Sequence, residues 1–285
     1  MTKIIATKKT LAVTAGLVLA LTSCTKENTT KEATDTASVA NDAPAQTQTL
    51  RIAAAANLSD VLPAIVAGYQ KDNNLPNQDI EVTYASSGKL YAQIVAGAPY
   101  DLFLSANQDF PAKLARDNSD QGEQTYAPFT YAQGQLALYS VSQSIDNSNQ
   151  GSLNELFKTN ANTTITIANP ELAPYGASAK AYLQSQNLYD SLNAQKRLIQ
   201  AENISQAFQY AHTGSVDYGL VAQSQIVATN ATSEQFITLA PESYPPILQD
   251  GIVINALPVA VDFSDYLRSS SGQQYFLQAG YLVVE

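Results

Sequence analysis

The sequence predicts an α/β protein of two lobes, each a mostly parallel sheet flanked by helices. Three observations predict it. Short apolar runs of strand length alternate with stretches whose apolar residues recur at helical spacing. The joins between them are polar turns, in the strand, turn, helix, strand rhythm of a parallel sheet. That rhythm breaks near 120–130 and then resumes, as two sheets rather than one would make it do.

The elements follow in order. Leu50–Ala56 reads as a buried strand, although alanine is a poor strand former. Val61, Leu62, Ile65, Val66 and Tyr69 then mark a helix, with Asn57 or Ser59 as its cap and Pro63 tolerable in its first turns. Ile80–Tyr84 alternates like a strand, Ser86-Ser87-Gly88 opens a helix carrying Leu90, Ile94 and Val95, and Asp101–Ser105 is a third strand. After the break, Leu136–Tyr139, Thr164–Ala168 and Tyr218–Ala222 read as strands. The loop Asn169–Gly176 leads to a helix from about Ala177, and another helix starts near Ser205. Pro245-Pro246 precedes Ile252–Ile254, and a helical stretch over about 262–277 closes the chain.

The N-terminal segment has a different character. Lys3, Lys8 and Lys9 precede an apolar run, Leu11–Leu21, too short to span a bilayer and shaped like the core of a secretory signal. Leu21-Thr22-Ser23-Cys24 resembles a bacterial lipobox, which implies cleavage after residue 23 and a lipid on Cys24. Residues 25–49 hold too little apolar surface to offset their ordering entropy and are expected to form a disordered tether.

Composition excludes several classes of function. Residues 50–285 carry 10 basic and 21 acidic side chains, which argues against nucleic acid as a partner. Cys24 is the only cysteine and His212 the only histidine, so Cys/His metal sites and Ser-His-Asp chemistry have almost nothing to work with. Asp60, Asp101, Asp109 and Glu171 could in principle serve acid–base chemistry, but Asp60 and Asp101 read equally well as capping or turn residues. No Gly-x-Ser-x-Gly nucleophile motif accompanies them, and no enzyme is expected. An adhesive lipoprotein without a small ligand is a further alternative.

Four polar turns stand directly before predicted helices: Asn57, Ser86-Ser87-Gly88, Pro174-Tyr175-Gly176 and Asn203-Ile204-Ser205. A helix start exposes unpaired backbone N–H groups and partial positive charge, so each turn is a potential anion site. Each is equally an ordinary cap taken alone. Only convergence of the set would make a pocket of neutral donors.

The segments AAAANLS at Ala53–Ser59, ASSGKLYAQI at Ala85–Ile94 and GAPYDLFLSA at Gly97–Ala106 occur in the same order as in a known family. So do NPELAPYG at Asn169–Gly176, AENI at Ala201–Ile204 and YGLVAQS at Tyr218–Ser224. Together they resemble the molybdate-binding proteins of molybdate ABC transporters, a branch of the type II periplasmic binding proteins. The resemblance implies a ligand cleft between two lobes, 50–130 plus 245–285 forming the first and 131–244 the second. It implies that Asn57 and Ser87 bind from the first lobe, Tyr175 and Ile204 from the second through backbone N–H groups, and Ala56 through a further backbone donor. Ser86 would merely shape its turn.

Many relatives place a tyrosine ligand where this chain has Ala222. The chain resembles a second group that pairs an asparagine in the first loop with Tyr175 in the Pro-Tyr-Gly loop, so that the Tyr175 phenol joins its amide. The implied function is capture of molybdate, or tungstate, in the periplasm and its delivery to an ABC permease. No cofactor and no direct metal-ion ligand are implied, and a monomer is expected. Sulfate or another small oxoanion is the alternative cargo.

Overall fold

The computed structural model describes residues 48–120, 126–145, 156–157, 161–282 and 284. The expected signal segment, Cys24 and nearly all of the expected tether lie outside these residues. Two five-stranded sheets organise the rest. The first contains β1 (Leu50–Ala55), β2 (Ile80–Ala85), β3 (Leu102–Leu104), β4 (Phe129–Gly134) and β10 (Ile247–Val253) in the order β2-β1-β3-β10-β4. The second contains β5 (Leu136–Tyr139), β6 (Ile165–Ala168), β7 (Leu198–Ala201), β8 (Tyr218–Ala222) and β9 (Phe236–Thr238) in the order β7-β6-β8-β5-β9.

The two sheets share one plan. In each, a central strand lies parallel to two neighbours, β1 to β2 and β3, β6 to β7 and β8. An antiparallel strand then closes on the third parallel one, β10 on β3 and β5 on β8. The chain is therefore α/β and two-lobed, in the type II binding-protein arrangement. It crosses between sheets at Gln135 and again between β9 and β10. Tyr244 ties the crossings together by accepting the Leu136 N–H at 3.0 Å. The first sheet runs on to Gly134, later than the break expected near 130, because β4 pairs with β10 through that residue.

The parallel strands need crossover helices, which put helix N-termini at their carboxyl ends. Among the described helices are α1 (Leu62–Asp72), α2 (Ser87–Val95), α3 (Asp109–Asp120) and α4 (Pro174–Ser185). The others are α5 (Tyr189–Ala194), α6 (Ile204–His212), α7 (Gln223–Ala228), α8 (Pro258–Arg268) and α9 (Ser270–Gln278).

Several local expectations are corrected. Ala56–Leu58 forms a separate 3-10 turn, so Asn57 does not cap α1, whose start at Val61 has no side-chain cap. Helix α4 begins at Pro174, not Ala177, because proline fits a first helical position. The final helical stretch is two helices, broken at Ser269, whose hydroxyl oxygen accepts the Gly272 N–H. Strands β4, β7 and β9 and helices α3, α5 and α7 have no counterpart in the sequence reading. The two sheet edges β7 and β9 are only four and three residues long.

The alanine run of β1 has a packing reason. Ala53 and Ala54 are fully buried, and Ala55 and Ala56 join Ala106 in the apolar cluster of the second lobe. Side chains this small let the two lobes approach at the strand ends. A similar constraint sets α4 on β6, where a Cβ on Gly176 would lie 2.2 Å from the Ala168 carbonyl oxygen. Gly176→Ala should therefore lower stability by about 1–3 kcal/mol, the usual cost of overpacking. Urea denaturation measures it, and an unchanged midpoint would show that α4 is free to shift.

Candidate functional site

The carboxyl ends of the parallel strands in the two sheets face each other across a small pocket of about 190 Å³, part of it open to solvent. The first lobe lines it with Ala55, Ala56, Asn57, Ser86, Ser87 and Ala106. The second contributes Ala173, Pro174, Tyr175, Asn203 and Ile204. All five residues singled out in the sequence thus border one space. No lysine, arginine, aspartate or glutamate is among the lining residues.

Helix starts supply the donors. Ser87 is the first residue of α2, Tyr175 the second of α4 and Ile204 the first of α6. Their backbone N–H groups have no acceptor within a helix, and none elsewhere among the described residues. The Ser87 Oγ accepts the Ala106 N–H at 2.9 Å, which leaves its own proton to give. Asn203 caps α6 by accepting the Gln206 N–H at 3.0 Å, which turns its side-chain oxygen toward the helix.

Two side chains depart from expectation. The Asn57 amide nitrogen donates to Gln249 Oε1 at 3.0 Å and to the Tyr281 hydroxyl at 2.9 Å, while its Oδ1 is buried without a partner. The Tyr175 phenol reaches back toward the first sheet, where its oxygen accepts from Gln249 Nε2 at 3.1 Å. It fits only because residue 134 is glycine: a Cβ there would lie 2.1 Å from the phenol oxygen. Gln249 also accepts from Tyr131 at 3.1 Å, so one wholly buried glutamine joins Asn57, Tyr131 and Tyr175 beside the cavity. Gln249, Tyr131 and Tyr281 were not legible as site residues, since none stands next to a helix start. Ala222 is buried and does not line the cavity.

Further bonds join the two lobes around the site. The Gly88 N–H donates to the Leu172 carbonyl at 2.9 Å, the Ser205 hydroxyl to the Ala56 carbonyl at 2.9 Å, and the Ser224 hydroxyl to the Asn57 carbonyl at 3.4 Å. Lys89 pairs with Glu202 at the rim, where half-exposed charges contribute little. The lobes are closed on each other. The carboxylates weighed for catalysis lie elsewhere: none of Asp60, Asp101, Asp109 and Glu171 lines the cavity. Asp101 instead accepts the Arg51 N–H at 2.8 Å and the Asn255 amide at 3.0 Å.

The family described as bacterial extracellular solute-binding protein matches residues 50–282, nearly all of the described chain. The chain belongs to that family. It is a solute-binding protein, not an enzyme, and such a protein needs no cofactor to hold its cargo. It is 31% identical over 242 residues to the molybdate-binding protein ModA of Azotobacter vinelandii, covering 83% of this chain and 91% of the relative. The ModA of Rhodobacter capsulatus is 32% identical over 210 residues, 70% of this chain and 77% of that one. The solved Azotobacter vinelandii periplasmic molybdate-binding protein superposes with a TM-score of 0.73 at 30% identity, over 83% of this chain and all of that one.

Burial pushes the phenols of the solute-binding protein's site upward, those of Tyr131 and Tyr175 well above the ordinary range and that of Tyr281 to about 12. They are therefore uncharged hydrogen-bonding groups at any physiological pH. The linkage has a definite sign. Unfolded phenols lose protons near pH 10 and folded ones later, so the native state binds more protons above that point and stability falls as pH rises. These phenols should leave stability flat from neutrality to about pH 9 and lower it between about pH 10 and 12. Denaturation midpoints across that range test this, and Tyr281→Phe should soften the loss.

Proposed function

We propose that this chain captures molybdate, with tungstate as an equivalent cargo, and delivers it to an ABC importer from a membrane tether made by a lipid on Cys24. The observation that carries the reading is the convergence of Ala56, Asn57, Ser87, Tyr175 and Ile204 on one uncharged, donor-lined cavity between two closed lobes. That the relatives are molybdate-binding proteins supports it. The anion bridges the lobes, taking N–H groups of Ser87, Tyr175 and Ile204, backbone donors at Ala56 and Asn57, and the Ser87 hydroxyl. Each hydrogen bond to a charged acceptor contributes about 1.5–3 kcal/mol. A handful of them outweighs desolvation and reaches sub-micromolar binding, about −8 kcal/mol.

Asn57 joins the donors if its amide and that of Gln249 both turn over. Exchanging nitrogen and oxygen in the two amides keeps every heavy-atom distance. Tyr175 then donates to Gln249 Oε1, Gln249 Nε2 donates to Asn57 Oδ1 and to Tyr131, Tyr281 turns its proton from the Asn57 carbonyl to Asn57 Oδ1, and Tyr131 donates to the Ser105 carbonyl, 2.8 Å away. The buried acceptor without a partner becomes an N–H available to an anion. A fully deprotonated dianion suits that arrangement, whereas protonated phosphate brings a donor that meets only donors. Sulfate, a smaller dianion, is excluded by size.

Calorimetry with molybdate, tungstate, sulfate and phosphate tests the reading. Sub-micromolar binding of the first two and weak binding of the others is expected; tight sulfate or phosphate binding with no molybdate binding would sink it. Asn57→Asp should abolish molybdate binding. Two like charges at 4 Å repel by about 4 kcal/mol at an effective dielectric of 20, roughly a thousandfold in affinity. Tight binding by the Asn57→Asp variant would remove residue 57 from the site.

A further inference from the structure

Ser86 is the N-cap of α2 by position, with extended backbone at φ −63° and ψ 145°, yet its side chain makes no capping bond. A serine at an N-cap ordinarily accepts the N–H of the second or third helical residue. Here the second is Gly88, and its N–H is given across the cleft to the Leu172 carbonyl at 2.9 Å. The Ser86 hydroxyl is left buried, at 2% exposure, with no partner at all, on a residue that borders the cavity. Native structures rarely leave a buried hydroxyl unpaired, and each exception calls for an explanation, a bound group among them. Ser87 next to it differs, because its oxygen is already held by the Ala106 N–H.

We propose that Ser86 is a further ligand residue whose hydroxyl donates to the bound oxoanion beside that of Ser87. It acts in the closed lobes, where Leu172 takes the Gly88 N–H, one of the two that the serine could otherwise cap. Closure therefore does two things at α2: it satisfies Gly88 from the opposite lobe and releases one more O–H to the cargo. This rests on the oxoanion reading of the cavity and adds to it a donor that the helix-start pattern alone treats as a turn former.

Calorimetric titration with sodium molybdate of the parent chain, Ser86→Ala and Ser86→Gly tests it, together with thermal midpoints of the unliganded proteins. Glycine replaces serine at an N-cap at a cost of only a few tenths of a kcal/mol, whereas alanine is disfavoured there. A ligand role predicts that both variants lose about tenfold or more in molybdate affinity, the value of one hydrogen bond to a charged group. The glycine variant should keep the parent's unliganded midpoint. A capping role alone predicts parent-like molybdate affinity in Ser86→Gly, and that result overturns the proposal. Loss of affinity in step with a fallen unliganded midpoint in the glycine variant overturns it too. A parent chain that takes up no oxoanion removes the oxoanion reading and this proposal together, whereas parent binding with an unaffected glycine variant removes the proposal alone.

Discussion

Unanswered backbone N–H groups at helix starts are the constraint on which the rest of this structure depends. Ser87, Tyr175 and Ile204 each lie in the first turn of a helix that follows a parallel strand, and the shared plan of the two sheets aims those strand ends at one another. Leaving a buried donor unpaired costs about 1–3 kcal/mol. Closing the lobes over several of them is therefore unfavourable unless an acceptor arrives, and a ligand shifts that equilibrium only through contacts it makes better in the shut form. Bonds such as Gly88 to Leu172 and Ser205 to the Ala56 carbonyl stabilise closure without serving any ligand. They set how much of the work the ligand must do.

The chain's formal charge of −10 makes the absence of lysine and arginine from the cavity wall intelligible. A buried cation would need a partner whenever the cavity was empty. Neutral dipoles carry no such demand, and in a low-dielectric enclosure they interact with a dianion far more strongly than they would in water. They also fix the number and direction of donors. Recognition then depends on the charge state and size of the guest rather than on net attraction, which would draw every anion alike.

Much of the fold was legible because its signals are local. Strand-length apolar runs, helical spacing after polar turns, and the pairing of asparagine or serine with a helix start are all written within a few residues of one another. What escaped was non-local or locally ambiguous. Phe129–Gly134 mixes glutamine, threonine and glycine with aromatics and becomes a strand only because β10 lies beside it. Pro174 is compatible with a loop or with a helix start, and the structure chooses the start. At the site, Asn57, Ser87, Tyr175 and Ile204 were found through helix starts and family resemblance. Gln249, Tyr131 and Tyr281 sit within a strand, within another strand and beyond the last helix, and nothing in their neighbourhood marks them.

Gln249 supplies a hydrogen-bonded link between the lobes that does not pass through position 222. Gln249 lies on β10, the strand by which the chain returns to the first sheet, and its two amide atoms touch Asn57 from that sheet and Tyr175 from the second lobe. Its polarity is set by whichever neighbour is most constrained, because an amide gives from one end only if it takes at the other. A guest that claims a donor at Asn57 fixes the direction of that relay. It thereby fixes which atom of Gln249 faces Tyr175. The two lobes are then coupled through hydrogen-bond direction as well as through the guest itself, with Gly134 keeping open the space that the phenol occupies.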